Sequence, residues 1–219
     1  MQKVTLDEIV GSERYEKIRD DFRRRIIELK KQRRLSVGDR ITFVFENHET
    51  VLFQIQEMLR AERITDIDKI RFEVDTYNEL IPRDGELSST LLIEITEQKQ
   101  IRPELVKLIG LDKAVSLQIG QRLPVPGVFE GGRSTEDNLS AVQYVRFPLS
   151  PEARAAFCEG KDEVRLVIAH PNYQAQVPLP TATRQSLAVE LYKADEANVL
   201  QLQKGYAWQV TSISEQPGS

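Results

Sequence analysis

The sequence is poor in the residues from which most metal centres, disulfide frameworks and nucleophilic sites are built. Its one cysteine, Cys158, excludes an internal disulfide and any multi-cysteine metal site. Nothing basic adjoins Cys158, which therefore reads as a small buried hydrophobe. The only histidines, His48 and His170, lie outside any HExxH, ExxH or CxxC context, so no metal ligand set and no cofactor is expected. No nucleophile elbow, phosphate-binding loop or dinucleotide fingerprint occurs. No run approaches the roughly 20 apolar residues of a membrane-spanning helix. Met1 to Glu8 has no apolar stretch of signal-peptide length, which with the lone cysteine implies a cytoplasmic, reducing setting.

What is present is an ordinary globular composition: 219 residues, 40% hydrophobic and 29% charged. A chain of that length buries roughly 70% of its unfolded surface and needs no covalent or metal staple. The net charge of -4 opposes nucleic-acid binding by the protein as a whole.

Spacing along the chain predicts the elements. Thr5 and Glu8 stand at capping-box distance. Ser12 then caps a helix to about Arg34, with Tyr15, Ile18, Phe22, Ile26 and Leu29 on one face. Gly38-Asp39 is a turn into a strand at 40–45. Asn47 caps a helix from His48 to about Arg63, and Thr65 or Asp66 caps another that ends before Pro82. A strand follows at Leu87 to Ile95, a short helix near Pro103, and a strand from Ala114 to Ile119. After a glycine- and proline-rich stretch come a strand at 140–149, a helix from Ser150, and a hairpin at 164–177 turning on Pro171-Asn172. A last helix opens at Pro180-Thr181. Tyr206 to Val210 alternates like a terminal strand, and the residues from Gln216 form a loose tail.

This order places helices early and strands late, which favours an α+β fold. The expected architecture is a helix-rich N-terminal half packed on a mostly antiparallel sheet contributed largely by the C-terminal half. Residues 1–219 read as one domain. The alternative division is a mixed segment 1–119 and a strand-rich segment 140–213, joined by a loop over 120–139.

Two groups of residues stand out as candidate sites. The first helix carries Arg23, Arg24, Arg25, Lys30, Lys31, Arg33 and Arg34. Ten basic residues face four acidic ones between Arg14 and Arg34. The run reads either as an anion- or partner-binding face or as a solvated face favoured by the helix dipole. The second group interrupts an apolar frame with amides and charges: Glu46, Gln54, Glu57, Arg60, Asn78 and Glu79. Phe53, Glu57 and Arg60 share one helical face, on which Glu57 and Arg60 can pair. Such a cluster is a ligand pocket or acid–base site if open, and an inert hydrogen-bond network if closed.

Several segments carry a resemblance. They include Tyr15-Glu16-Lys17-Ile18-Arg19, Phe45-Glu46-Asn47, the run Phe53 to Arg63, Tyr77-Asn78-Glu79-Leu80-Ile81-Pro82 and Ala141 to Phe147. In these the chain resembles the bacterial family known as domain of unknown function 3501, from the N-terminus to about Leu191. The family has no settled activity. The resemblance implies an accessory role beside a rubrerythrin-like protein or an iron–sulfur oxidoreductase subunit in peroxide defence, with any redox metal belonging to that partner.

Three functional readings follow. The first is a non-catalytic accessory protein that docks onto a redox partner. The second is a small-ligand binder or unusual enzyme using the six-residue polar cluster. The third is anion or nucleic-acid binding through the basic helix, which the overall acidity disfavours.

Overall fold

A computed structural model describes residues 1–122, 124–132 and 139–191. The expected strand at 206–210 and the tail lie outside the described residues. The chain is α+β, and its helices are α1 (Ser12–Lys31), α2 (His48–Ala61), α3 (Ile67–Asn78), α4 (Ile101–Lys107), α5 (Pro151–Glu159) and α6 (Thr181–Leu191). Its strands are β1 (Arg34–Val37), β2 (Ile41–Phe45), β3 (Glu86–Ile93), β4 (Val115–Ile119), β5 (Val125–Pro126), β6 (Val128–Phe129), β7 (Val142–Pro148), β8 (Val164–His170) and β9 (Tyr173–Pro178).

The strands form two antiparallel sheets. One runs β1-β2-β3-β7-β6 and the other β5-β4-β8-β9. A single apolar cluster from Leu35 to Leu191 fills the space between them, with Phe43, Phe45, Leu91, Phe147, Leu117 and Leu166 fully buried. The chain crosses from one sheet to the other at Gly127, between β5 and β6. A Cβ there would lie 2.8 Å from the Val145 side chain, so glycine fits at the crossing without displacing the core. The stretch expected as a loop over 120–139 contains strand residues at 125–126 and 128–129. Alternation hides them because each strand is two residues long.

α1 stops at Lys31, three residues earlier than its basic run suggests, because Arg34 to Val37 pair with Val44 to Ile41 as a hairpin. Gly11, not Ser12, is the N-cap. The Asn47 and Asp66 caps form as expected, through Thr50 N–H and through the Asp68 and Lys69 N–H groups. A second apolar cluster of Val51, Ile55, Leu59, Val74, Leu80 and Ile81 binds α2 to α3 and takes in Val4 of the N-terminal segment and Tyr144 of β7.

That segment, residues 1–10, is held without a strand ladder. The Asn78 side chain accepts from Val4 N–H at 2.8 Å and donates to Val4 C=O at 2.9 Å. Gln56 does the same to Val10, at 2.6 and 3.2 Å. Each amide replaces one rung of a sheet.

The β1–β2 turn depends on Gly38, whose φ of +75° favours glycine and whose missing Cβ leaves room for the Tyr173 hydroxyl. Tyr173 donates to Val37 C=O at 2.6 Å and so ties the two sheets together. Gly38→Ala is expected to lower stability by about 2 kcal/mol or more, from the left-handed backbone and the displaced tyrosine together. A urea midpoint that moved by less than half of this would show that the turn relaxes freely.

Candidate binding site

The six polar residues singled out in the sequence divide among separate settings. Glu46 is buried and Gln54 half-buried beside it. Glu46 Oε2 accepts from Thr50 Oγ1 at 2.5 Å and from Gln54 Nε2 at 2.9 Å, and its Oε1 accepts from Thr90 Oγ1 at 2.6 Å. Glu57 faces α1, where Arg19 donates through Nε and Nη2 at 2.8 and 2.7 Å and Tyr15 Oη at 2.7 Å. Arg60 also turns to α1 and binds Glu16 through Nε at 2.6 Å. Asn78 holds the N-terminal segment, and the exposed Glu79 pairs with Lys3 and Arg83.

The expected convergence on one cavity is therefore not found. Six residues of an α-helix turn through about 600°, which leaves Gln54 and Arg60 about 120° apart around α2. The expected Glu57–Arg60 pair is replaced by two pairs to α1. The Arg19 hydrogen bonds hold the Glu57 carboxyl below the usual range, with Tyr15 assisting against partial burial. Burial, and then the Glu57 carboxylate itself, pushes the Tyr15 phenol upward. Both effects fix one protonation state, so this trio is a tie between helices rather than a proton relay.

The basic helix is likewise broken into local pairs. Arg24 meets Asp21, Arg25 meets Glu49 and lies over the Phe22 ring, Lys31 meets Glu28, and Arg34 meets Glu94. Arg23 and Lys30 have no ion-pair partner among the described residues. Arg33, expected on the exposed face, is a correction: it is 1% exposed and has left the helix. Its Nε donates to Phe45 C=O at 2.8 Å, Nη2 to Glu46 C=O at 2.9 Å, and Nη1 to Ser186 Oγ at 3.2 Å, and it pairs with Glu190 of α6. Neither Glu190 nor Ser186 carries a motif, and 157 residues separate Glu190 from Arg33, so the sequence could not bring them together.

An opening that the sequence did not indicate lies where the N-terminal segment, the start of α1, the end of α2 and the start of α3 meet. It is a pocket of about 210 Å³ walled by Leu6, Ile9, Leu59, Ile64, Ile67 and Ile70, with Tyr15, Gln56 and Arg60 at its polar edge. The side chains of Leu6, Ile9, Ile64 and Ile70 are only half-buried, and Ile67 is 56% exposed. A polar recess shares Ser12, Arg60 and Thr65 with the pocket and adds Glu16, Ala61 and Arg63. The signal that could have found it is the run Ile64-Thr65-Asp66-Ile67, apolar residues set around a helix cap instead of inside an element. Among the described residues no three His, Cys, Asp or Glu side chains are placed to hold a metal, and no helix is long and apolar enough to cross a membrane.

A model of the family described as protein of unknown function (DUF3501) matches residues 3–191. The chain belongs to the DUF3501 family. A crystal structure of a protein of unknown function from Burkholderia pseudomallei K96243 is similar over 87% of this chain and all of that one. The identity is 32% and the TM-score 0.82. No curated protein matches the sequence. The family's extent coincides with the described fold, ending with α6 at Leu191.

Glu190 gives this DUF3501 chain a measurable pH signature. Burial pushes its carboxyl up to about 7, against the opposing pull of Arg33, and the Glu46 charge adds to the rise. The folded state then binds the proton more tightly than the unfolded chain. The stability this confers is complete below about pH 4.5 and is lost as pH rises through about 7. Relative to Glu190→Gln, the wild type should lose on the order of a few kcal/mol between pH 5 and pH 8, read from urea midpoints. Parallel curves for the two proteins would mean that Glu190 stays ionised against Arg33 throughout.

Proposed function

We propose that this chain is a non-catalytic accessory protein that docks a partner protein through the pocket beside the N-terminal segment. One observation supports the reading. Two of the polar side chains at the edge of the pocket are spent inside the chain, Tyr15 on Glu57 and Gln56 on Val10, whereas the apolar wall stays open to solvent. A site of acid–base chemistry needs a titratable group free to act on a bound molecule. A docking site needs an accessible apolar surface with a polar rim, and this is the pattern here.

The partner class we assign is the one the family resemblance implies, a rubrerythrin-like protein or an iron–sulfur oxidoreductase subunit, in a cytoplasmic peroxide-defence system. In that arrangement the redox metal belongs to the partner, and this chain supplies a binding surface. The alternative small-ligand reading of Glu46, Gln54, Glu57, Arg60, Asn78 and Glu79 loses its premise, since those side chains do not share a cavity.

Affinity capture of the tagged chain from its own host, after nuclease treatment and at moderate salt, tests the reading. Wild type is expected to recover a redox protein of the assigned class in stoichiometric amount. Ile67→Asp, in the pocket wall, should lose it. Phe72→Asp, at a 68% exposed position on the same helix that does not line the pocket, should retain it. Equal recovery by all three proteins would place docking elsewhere, and a partnerless eluate from the wild type would reject the accessory role.

A further inference from the structure

We infer that the pocket and its adjoining recess receive the C-terminal end of a polypeptide, with the last side chain, apolar, in the pocket and the terminal carboxylate in the recess. This rests on the docking reading above and adds which part of the partner is bound.

The size of the pocket comes first. At about 210 Å³ the apolar pocket by itself falls below the roughly 300–1,000 Å³ that encloses a drug-sized molecule, and the adjoining recess adds about 420 Å³. The pocket suits one large apolar side chain. Leu6, Ile9, Leu59, Ile64, Ile67 and Ile70 offer that guest no hydrogen bond, so its identity is fixed by volume and apolarity alone.

The charge of the recess comes second. Arg60 spends its Nε on Glu16, and no acceptor among the described residues engages its two terminal nitrogens. Among the described residues Arg63 has no side-chain hydrogen-bond or ion-pair partner, and its φ of 53° belongs to the left-handed region, uncommon for a residue with a side chain. Among the described residues Glu16 is the one carboxylate lining the recess, against two guanidinium groups. A guanidinium offers paired donors in the plane that a carboxylate accepts, so the unspent charge here complements a carboxylate in shape as well as in sign. Glu57 does not cancel it, because Arg19 already neutralises that carboxylate.

The third point is the distance between the two. Ser12, Arg60 and Thr65 line both spaces, so the apolar group and the anion of the guest lie next to each other. An internal aspartate or glutamate would put its carboxylate on a different residue from the apolar side chain, and the chain would have to continue past the recess. At a C-terminus the carboxylate and the apolar side chain leave the same Cα. Capture of a C-terminal carboxylate is an established mode of peptide recognition, and guanidinium groups are suited to that anion.

The test uses the full chain and a fluorescein-labelled pentapeptide ending in leucine, either as the free acid or as the C-terminal amide. The free acid is expected to bind by fluorescence polarisation, and the amide at least about tenfold more weakly. Arg63→Ala and Arg60→Gln, both at solvent-accessible positions, should each weaken the acid and leave the amide unchanged. Ile67→Asp should weaken both. Equal binding of acid and amide, indifference to the arginine variants, or no binding of the acid would overturn the inference. N-acetyl-leucine bound as tightly as the pentapeptide would also overturn it, since the guest would then be a free small acid. A captured partner that is lost with Ile67→Asp but kept with Arg63→Ala would leave docking standing and remove the terminal-carboxylate assignment alone.

Discussion

A guanidinium withdrawn from water must find an acceptor for each of its donors, and Arg33 does so where three parts of the fold meet. Its bonds to the carbonyls of Phe45 and Glu46 close the end of β2, one residue before Asn47 caps α2. Its bonds to Ser186 and Glu190 hold α6 to the same point. Desolvating such a pair costs about as much as its attraction returns, so it adds little net stability compared with apolar packing. What it does impose is placement: loss of Arg33 would leave the carbonyls of Phe45 and Glu46 and the buried Glu190 without their donor. The passage from sheet to helical layer therefore runs through one side chain.

The N-terminal segment depends on the helical layer in a comparable way. Its backbone groups have no strand beside them, and the amides of Gln56 and Asn78 serve as substitutes from α2 and α3. Val4 then enters the α2–α3 core, while Leu6 and Ile9 pack against its edge, only partly buried, and form one wall of the pocket. His48 lies between Gln2 C=O at 3.0 Å and Glu8 Oε1 at 2.7 Å, and pins the same segment at its other end. The pocket thus exists because the segment is fixed at Val4 and Val10 by its backbone, which leaves the side chains between them only partly packed.

Much of this was legible in the sequence, and the reasons differ by residue. Asn47 and Asp66 were readable as caps because capping is local, a side-chain oxygen meeting N–H groups two or three residues on. The α+β order was readable because helical and strand periodicities differ and segregate along the chain. The two-strand segments at Val125 and Val128 were not readable, since two residues establish no period. The polar cluster is unusual in part, because Glu46 and Asn78 are indeed buried polar groups. Its grouping failed because helical phase shows which residues share a face but not which element covers that face. In the sequence Tyr15 and Arg19, the partners of Glu57, read as part of an apolar stripe and of a basic run.

Arg33 and Arg63 show most plainly where the local pattern gives out. Each follows a helix that ends in charged residues, and composition alone would treat them alike. Arg33 lies where the chain passes from α1 straight into a strand, and the strand direction carries it into the core, where carbonyls at the end of β2 lack sheet partners. Arg63 follows α2 with a left-handed backbone that closes the helix through Ile64 N–H to Leu59 C=O, and the reversal leaves its side chain in solvent at the edge of the pocket. One arginine is consumed by the fold and the other is left for something outside it. The element that follows each helix, a paired strand in one case and a free turn in the other, decides between these roles, and that is a tertiary fact rather than a property of the residue.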